Sequence, residues 1–272
     1  MMLVELPRRP FGRTGLSVAP LGLAGSYGID ADATERAFHE LSINYFFVTP
    51  RMKGLFEGVR RLIKAGHRDE IVLATGPFFP TGRALRGQWD DVARGLGTDR
   101  IDVLQVFWVR WRWYLTGGTI ETLRRFKEEG KIRAFGISTH ERRMAPDFAS
   151  EFGLDMLMLR YNAAHRGAEQ DVFARLPAER PAVVAYTATR WGRLLRPVGD
   201  KPALTASECY RFQLSHPAVD VVLTGPKTWD ELRANAEGAA LGPLPAERLA
   251  EVRAFGDAVH ASATSRFGFG RR

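Results

Sequence analysis

Val103-Leu104-Gln105-Val106-Phe107 is a short apolar run, followed at 120–129 by the amphipathic Ile120-Glu121-Thr122-Leu123-Arg124-Arg125-Phe126-Lys127-Glu128-Glu129 and then by Ala134-Phe135-Gly136-Ile137-Ser138. The outer stretches suit buried strands and the middle one a crossover helix. Two strands joined this way pair in parallel. The unit repeats in both directions. Apolar runs at 19–25, 45–48, 71–74, 156–160, 183–186 and 221–223 predict further strands. Helical patterns at 31–41, 53–64, 83–96, 144–150, 168–176, 205–214 and 230–237 alternate with them. Eight strands alternating with eight helices in 272 residues predict an α/β fold, a closed (β/α)8 TIM barrel forming one domain over 1–272. A doubly wound sheet usually stops at about five or six strands.

Two additions flank the repeat. Residues 10–17, with the turn Gly12-Arg13-Thr14-Gly15, predict a short N-terminal hairpin, and 244–259 an extra C-terminal helix. The tail from about 261–272, ending Phe267-Gly268-Phe269-Gly270-Arg271-Arg272, is expected to be loose.

The hydrophobic fraction of 45%, with 17 Phe and 6 Trp, is ample for a core. The single cysteine, Cys209, excludes an internal disulfide and any multi-cysteine metal site, and is expected to be buried and inert in a helix. None of the six His shares a helix face with a second ligand, so no metal is expected. No apolar run approaches the roughly 20 residues that span a bilayer, and the start Met1-Met2-Leu3-Val4 lacks a signal-peptide core. A cytoplasmic location is therefore expected. The net charge of +8 comes from basic residues scattered over many helices, with no nucleic-acid motif among them. The expected partner is a small molecule, with neither nucleic acid nor membrane, and the oligomeric state is not read.

Several segments resemble the aldo-keto reductases, and the resemblance runs along nearly the whole chain. Phe11-Gly12-Arg13-Thr14-Gly15-Leu16-Ser17-Val18 with Leu21-Gly22-Leu23 is similar to that family's opening hairpin and first strand. Gly130-Lys131-Ile132-Arg133-Ala134-Phe135-Gly136-Ile137-Ser138 resembles its entry to strand 5. Tyr161-Asn162, Leu214-Ser215-His216-Pro217 and the segment 225–235 follow in the family's order.

The resemblance implies carbonyl reduction by a nicotinamide cofactor, with a Tyr proton donor, a Lys and an Asp that tune it, and a His that polarises the carbonyl. This sequence departs at all four positions. After Asn44-Tyr45-Phe46-Phe47 it reads Val48-Thr49-Pro50-Arg51-Met52-Lys53-Gly54, so Val48 stands for the Asp and Lys53 for the Tyr. Thr75-Gly76 puts Gly76 at the Lys position, and Gln105-Val106-Phe107-Trp108 puts Phe107 at the His position. The cofactor residues the resemblance implies, should NADP be bound, are Ser138, Tyr186, Lys227, Thr228, Glu231 and Asn235; beside them Thr139 and Met158 stand for an expected Asn and Gln. Whether NADP is bound stays open.

The residues themselves suggest other chemistry at the strand C-termini. Arg51, Trp108, Trp111, Arg160, Arg190 and Trp191 are the expected substrate contacts, an aromatic and cationic set suited to a planar ligand with an anionic handle. Lys53, crowded by Arg51, and the loop histidines His140 and His165 are the candidate acid–base groups. Three classes remain open: a ligand-binding barrel with cofactor-free acid–base or lyase chemistry, an NADP(H)-dependent oxidoreductase with a rebuilt proton donor, and a ligand-binding pseudoenzyme.

Overall fold

The computed structural model describes residues 4–266. Eight parallel strands close a barrel: β3 (Leu21–Ala24), β4 (Tyr45–Phe47), β5 (Val72–Thr75), β6 (Ile101–Val106), β7 (Ile132–Thr139), β8 (Met156–Arg160), β9 (Ala182–Tyr186) and β10 (Val221–Thr224), with β10 pairing back onto β3. The helices between them are α1 (Ala31–Leu41), α2 (Lys53–Lys64), α3 (Gly82–Leu96), α4 (Gly118–Glu128), α5 (Ala145–Phe152), α6 (Ala168–Asp171), α7 (Ala206–Leu214) and α8 (Trp229–Ala240), and α9 (Ala246–Arg266) follows. This is the (β/α)8 barrel expected of the alternating pattern. The hairpin β1 (Arg9–Pro10) and β2 (Ser17–Val18) precedes it.

The core has two shells. Inward-facing Tyr45, Val72, Val103, Ala134, Met156, Val184 and Val221 fill the barrel, and the hairpin's Phe11, Leu16 and Val18 close its floor. Outward-facing residues such as Leu73, Leu104, Ile137 and Val183 pack against the helices. The period-two alternation of each strand sorts its residues between the shells.

A repeated polar device sets the lower rim. A side-chain oxygen at the start of every second strand accepts a backbone N–H from the strand before it. Asn44 accepts from Ala19 at 2.8 Å, Asp102 from Leu73 at 2.9 Å, Asp155 from Phe135 at 3.0 Å and Asp220 from Val183 at 2.8 Å. The three carboxylates also hold cations, Arg68 at 2.9 Å, Lys127 at 2.7 Å and Arg180 at 2.7 Å. Buried acids are tolerated where hydrogen bonds and a counter-charge replace water.

Two elements differ from their sequence patterns. The expected helix at 168–176 breaks at Val172, whose backbone leaves the helical region (φ −124°, ψ −66°), so α6 ends at Asp171 and a 3-10 turn spans Phe173–Arg175. The last helix runs past the expected 244–259 to Arg266. The tail 267–272 lies outside the described residues. Among those residues no helix is long and apolar enough to cross a membrane.

Candidate functional site

The strand C-termini surround a cavity of about 470 Å³. Its walls are rings from neighbouring strands: Phe47 at the end of β4, Phe107 and Trp108 just after β6, Phe78 in the loop after β5, and Tyr186 at the end of β9. The rings touch in series, Phe47 to Phe107 at 5.6 Å, Phe107 to Phe78 at 5.1 Å and Phe78 to Trp108 at 5.0 Å between centroids. Met158 and Ser138 line it from β8 and β7, and Arg51 and Met52 from the loop before α2. A second lobe of about 390 Å³ shares Phe47, Trp108, Met158 and Tyr186 and extends to Tyr27, His140 and Trp191. A groove of about 680 Å³ lies on the opposite face, beneath the hairpin. Its Arg180 and Asp220 already satisfy each other at 2.7 Å, and a barrel's chemistry belongs at the strand C-termini.

Backbone strain collects at the same mouth. Trp108 (φ 54°), Thr187 (φ 59°), Arg190 (φ 50°) and Trp191 (φ 52°) all occupy the left-handed region that favours glycine. Each such residue costs on the order of 1–3 kcal/mol and persists where the surroundings over-determine it. Trp108 is held by its N–H donating to Ser138 Oγ at 3.0 Å, and Thr187 by its carbonyl accepting from Asn162 Nδ2 at 2.9 Å.

The titratable pair in the mouth is His140 and Tyr186, with the phenol oxygen 3.4 Å from His140 Nδ1. Burial, then Arg160 and Arg110, holds the imidazole below its ordinary value. Burial pushes the phenol up to about 12, against the pull of Arg160. Both groups are therefore neutral near pH 7.

The expected site residues divide. Arg51, Trp108, His140, Tyr186 and Trp191 line the two lobes. Lys53 does not: it is exposed at the first position of α2 and absent from the cavity wall, so the apolar crowding expected of it is not found. Trp111 stacks on Trp113 at 6.1 Å in the exposed 3-10 segment after β6, outside the lining. Arg190 is turned away and donates to Val259 O of α9 at 2.9 Å. Arg160 and His165 face a separate crevice under α9. Phe47 and Phe78 are wall residues that the sequence reading missed, and Met158, read there only as standing for an amide-holding Gln, is a third. For Phe47 and Met158 the signal was available, since each is in phase with the inward-facing residues of its strand.

The four positions that the sequence reading sets against the family's catalytic residues have definite surroundings. Val48 is fully buried against the helices, in the outer shell. Phe107 is itself part of the cavity wall. A Cβ on Gly76 would stand 1.8 Å from Gln105 O, so only glycine fits there.

The nicotinamide cofactor implied by the resemblance is met only in part. Ser138 Oγ lines the cavity. The Thr139 hydroxyl is committed, donating to Val109 O at 2.6 Å and accepting Glu141 N–H at 2.9 Å, and Met158 has no polar hydrogen to offer an amide. At the far end Thr228 caps α8 by accepting Glu231 N–H, Glu231 accepts Lys227 N–H at 2.7 Å, and buried Asn235 donates to Thr224 at 3.0 Å. The amide clamp is missing, so the residues present do not fit the nicotinamide end. Cys209 is buried in α7, which pushes its thiol up to about 12.

Comparison with known proteins agrees with the barrel fold. The pyridoxal 4-dehydrogenase of Microbacterium luteolum is 25% identical over 320 aligned positions, covering 86% of this chain and 93% of that one. The holo form of aldo-keto reductase AKR11C1 from Bacillus halodurans superposes with a TM-score of 0.77 at 22% identity, over 92% of this chain and 96% of the other. Its apo form gives a TM-score of 0.76 at 23% identity, with the same coverage. The Aldo/keto reductase family model matches residues 59–208, more than half of the sequence, and the chain belongs to that family.

Proposed function

We propose that the barrel mouth binds a planar aromatic molecule with an anionic group, and that the family's ordinary NADPH-dependent carbonyl reduction is absent or very weak. The carrying observation is where the fold leaves aromatic rings in water. Every exposed Tyr, Phe and Trp among the described residues sits in a loop that follows a barrel strand on the mouth side: Tyr27 after β3, Phe78 and Phe79 after β5, the three Trp after β6, and Trp191 after β9. Exposed apolar surface gathered in one place marks a binding site. Arg51 supplies the charge at its rim, and none of the residues lining the larger lobe is acidic. The curated relative is named for a dehydrogenase of pyridoxal, and a ring of that kind suits such walls.

With Val48, Lys53, Gly76 and Phe107 at the four family positions, the usual proton donor and its tuning groups are gone. An acid–base contribution of that kind is worth about 10²–10⁴-fold. The remaining proton-handling pair is His140 and Tyr186, a neutral acceptor beside a neutral donor. That pair also favours a second reading, an NADP(H)-dependent oxidoreductase with a rebuilt proton donor. A ligand-binding pseudoenzyme would share the binding and lack the turnover.

The test is a thermal-shift series with benzoate, benzaldehyde and pyridoxal on wild type and Arg51→Met, beside a fluorescence titration with NADPH. The expected result is stabilisation by benzoate beyond benzaldehyde, reduced in the variant, without saturable NADPH binding. Equal stabilisation by the neutral aldehyde would defeat the anionic-ligand reading. Saturable NADPH binding would favour the second reading.

A further inference from the structure

β8 ends in Arg160, and α9 lies across the loop that follows it. Between them is a crevice of about 420 Å³ lined by Arg142, Arg160, His165, Arg166, Asp257 and His260, with Gly167 at its edge. It shares no lining residue with either lobe of the mouth.

The charges of this crevice do not balance. Arg142 is paired with Asp171 at 3.2 Å and Arg166 with Asp257 at 2.9 Å, and Glu169, the third acid nearby, is held by Arg253 at 2.8 Å. Arg160 has no carboxylate partner among the described residues, and its Nε is buried without any hydrogen-bond acceptor. Arg190 comes in from the loop after β9, 8% exposed, with only the carbonyl of Val259 on its Nη1. Arg160 thus remains uncompensated in the crevice wall, and Arg190, buried behind the lining, adds a second positive charge to the same field. A cation held out of water without a counter-charge is costly, and Arg offers planar, multidentate donors to an oxyanion.

His165 reports the same field. Burial, followed by Arg160, Arg190, His260 and Arg142, pushes its imidazole down to about 4. Three acids lie near this ring's neighbours and each is paired: Asp171 with Arg142, Asp257 with Arg166, and Glu169, which also faces Arg166, with Arg253. The loop geometry is also particular. A Cβ at Gly167 would stand 2.2 Å from Arg142 Nη2, so the guanidinium rests directly on the backbone there and would have to shift for any other residue.

We propose that this crevice is a second ligand site that takes a tetrahedral oxyanion of the phosphate class, with Arg160 as its main contact and Arg142, Arg166 and His165 around it. Two uncompensated positive charges are neutralised by a dianion and not by a monocarboxylate. The volume suits an ion of this size with some of its water, since a water molecule occupies about 30 Å³ of liquid. The same chemistry serves free phosphate or the phosphate group of an organic molecule.

Isothermal titration calorimetry at constant ionic strength separates the cases, using inorganic phosphate, sulfate, phenyl phosphate and benzoate as probes. Wild type is expected to bind one inorganic phosphate or sulfate per chain, or, if the group arrives on an organic carrier, phenyl phosphate with a dependence on Arg160 and not on Arg51, which separates it from an aromatic anion held at the mouth. Benzoate is not expected to compete at this site. Arg160→Met and Arg166→Met should each weaken binding by at least about tenfold, the loss expected of one charge-assisted contact, while Arg51→Met should leave it unchanged. Histidine NMR gives a readout that does not depend on a variant folding: phosphate should raise the titration midpoint of His165 in wild type. Binding of neither phosphate nor phenyl phosphate, equal binding by Arg160→Met, or an unmoved His165 would each overturn the proposal.

Discussion

Gly76 is the position where the chain's departure from its family can be tested by a single methyl group. A Cβ there would stand 1.8 Å from Gln105 O, whereas real Cβ contacts essentially never fall below 3.0 Å, so one strand must retreat by more than about 1 Å. The obstacle is the backbone carbonyl of β6, which cannot swing aside as a flexible side chain can. Overpacking of this kind costs about 1–3 kcal/mol. Gly76→Ala should therefore lower the unfolding free energy in urea by about 1–3 kcal/mol, seen as a lower midpoint at unchanged slope. The same clash bars a simple return to the family's site. In a chain carrying Val48→Asp, Lys53→Tyr, Gly76→Lys and Phe107→His, the restored lysine comes in on a displaced strand. A misplacement of about 1 Å costs on the order of 10²-fold in rate. The quadruple variant should stay at least that far below a typical family enzyme with NADPH and benzaldehyde. A Gly76→Ala protein within about 0.5 kcal/mol of wild type, the range of an ordinary surface change, would refute the reasoning.

Other perturbations have directions that follow from the geometry. Asp220→Ala strips the acceptor from Val183 N–H and the partner from Arg180, and should cost about 2–4 kcal/mol in chemical denaturation. His165 has its folded pKa pushed down to about 4, below the ordinary 6.5, so the unfolded chain binds the extra proton between those values. Stability should accordingly fall as pH drops from about 6.5 towards 4, and His165→Asn should flatten that part of the profile. Lys53→Met should leave benzoate stabilisation unchanged, because the exposed lysine is outside the cavity wall; a lost response would return it to the site. Cys209 should resist alkylation in the native state and react on unfolding, which a mass-spectrometric time course reads directly.

The barrel was legible in the sequence because each strand is a short apolar run set between amphipathic helices, and closure follows from their number. The 168–176 pattern misled because apolar periodicity does not register the backbone break at Val172. Site residues adjoining a strand end, such as Trp108, His140 and Tyr186, could be placed from order alone, since a barrel sends those ends to one face. Side-chain direction in a long loop could not. Trp113 lies in a 3-10 turn, with Trp111 as the residue before it, that carries both outward, whereas Phe78 reaches the cavity wall from the loop after β5. Arg160 and His165 have a meaning only once α9, some 90 residues later in the chain, lies against them. The lower-rim acids Asp102, Asp155 and Asp220 went unnoticed for a related reason. Their role is a pairing between neighbouring strands, which no local pattern records.

The central claim is that the mouth has kept an aromatic ligand pocket and lost the family's reduction. The most direct test is the steady-state oxidation of NADPH by the purified protein with benzaldehyde or pyridoxal as acceptor. The expected result is no turnover above the enzyme-free rate. Turnover within the usual enzyme range of about 1–10³ per second would contradict it.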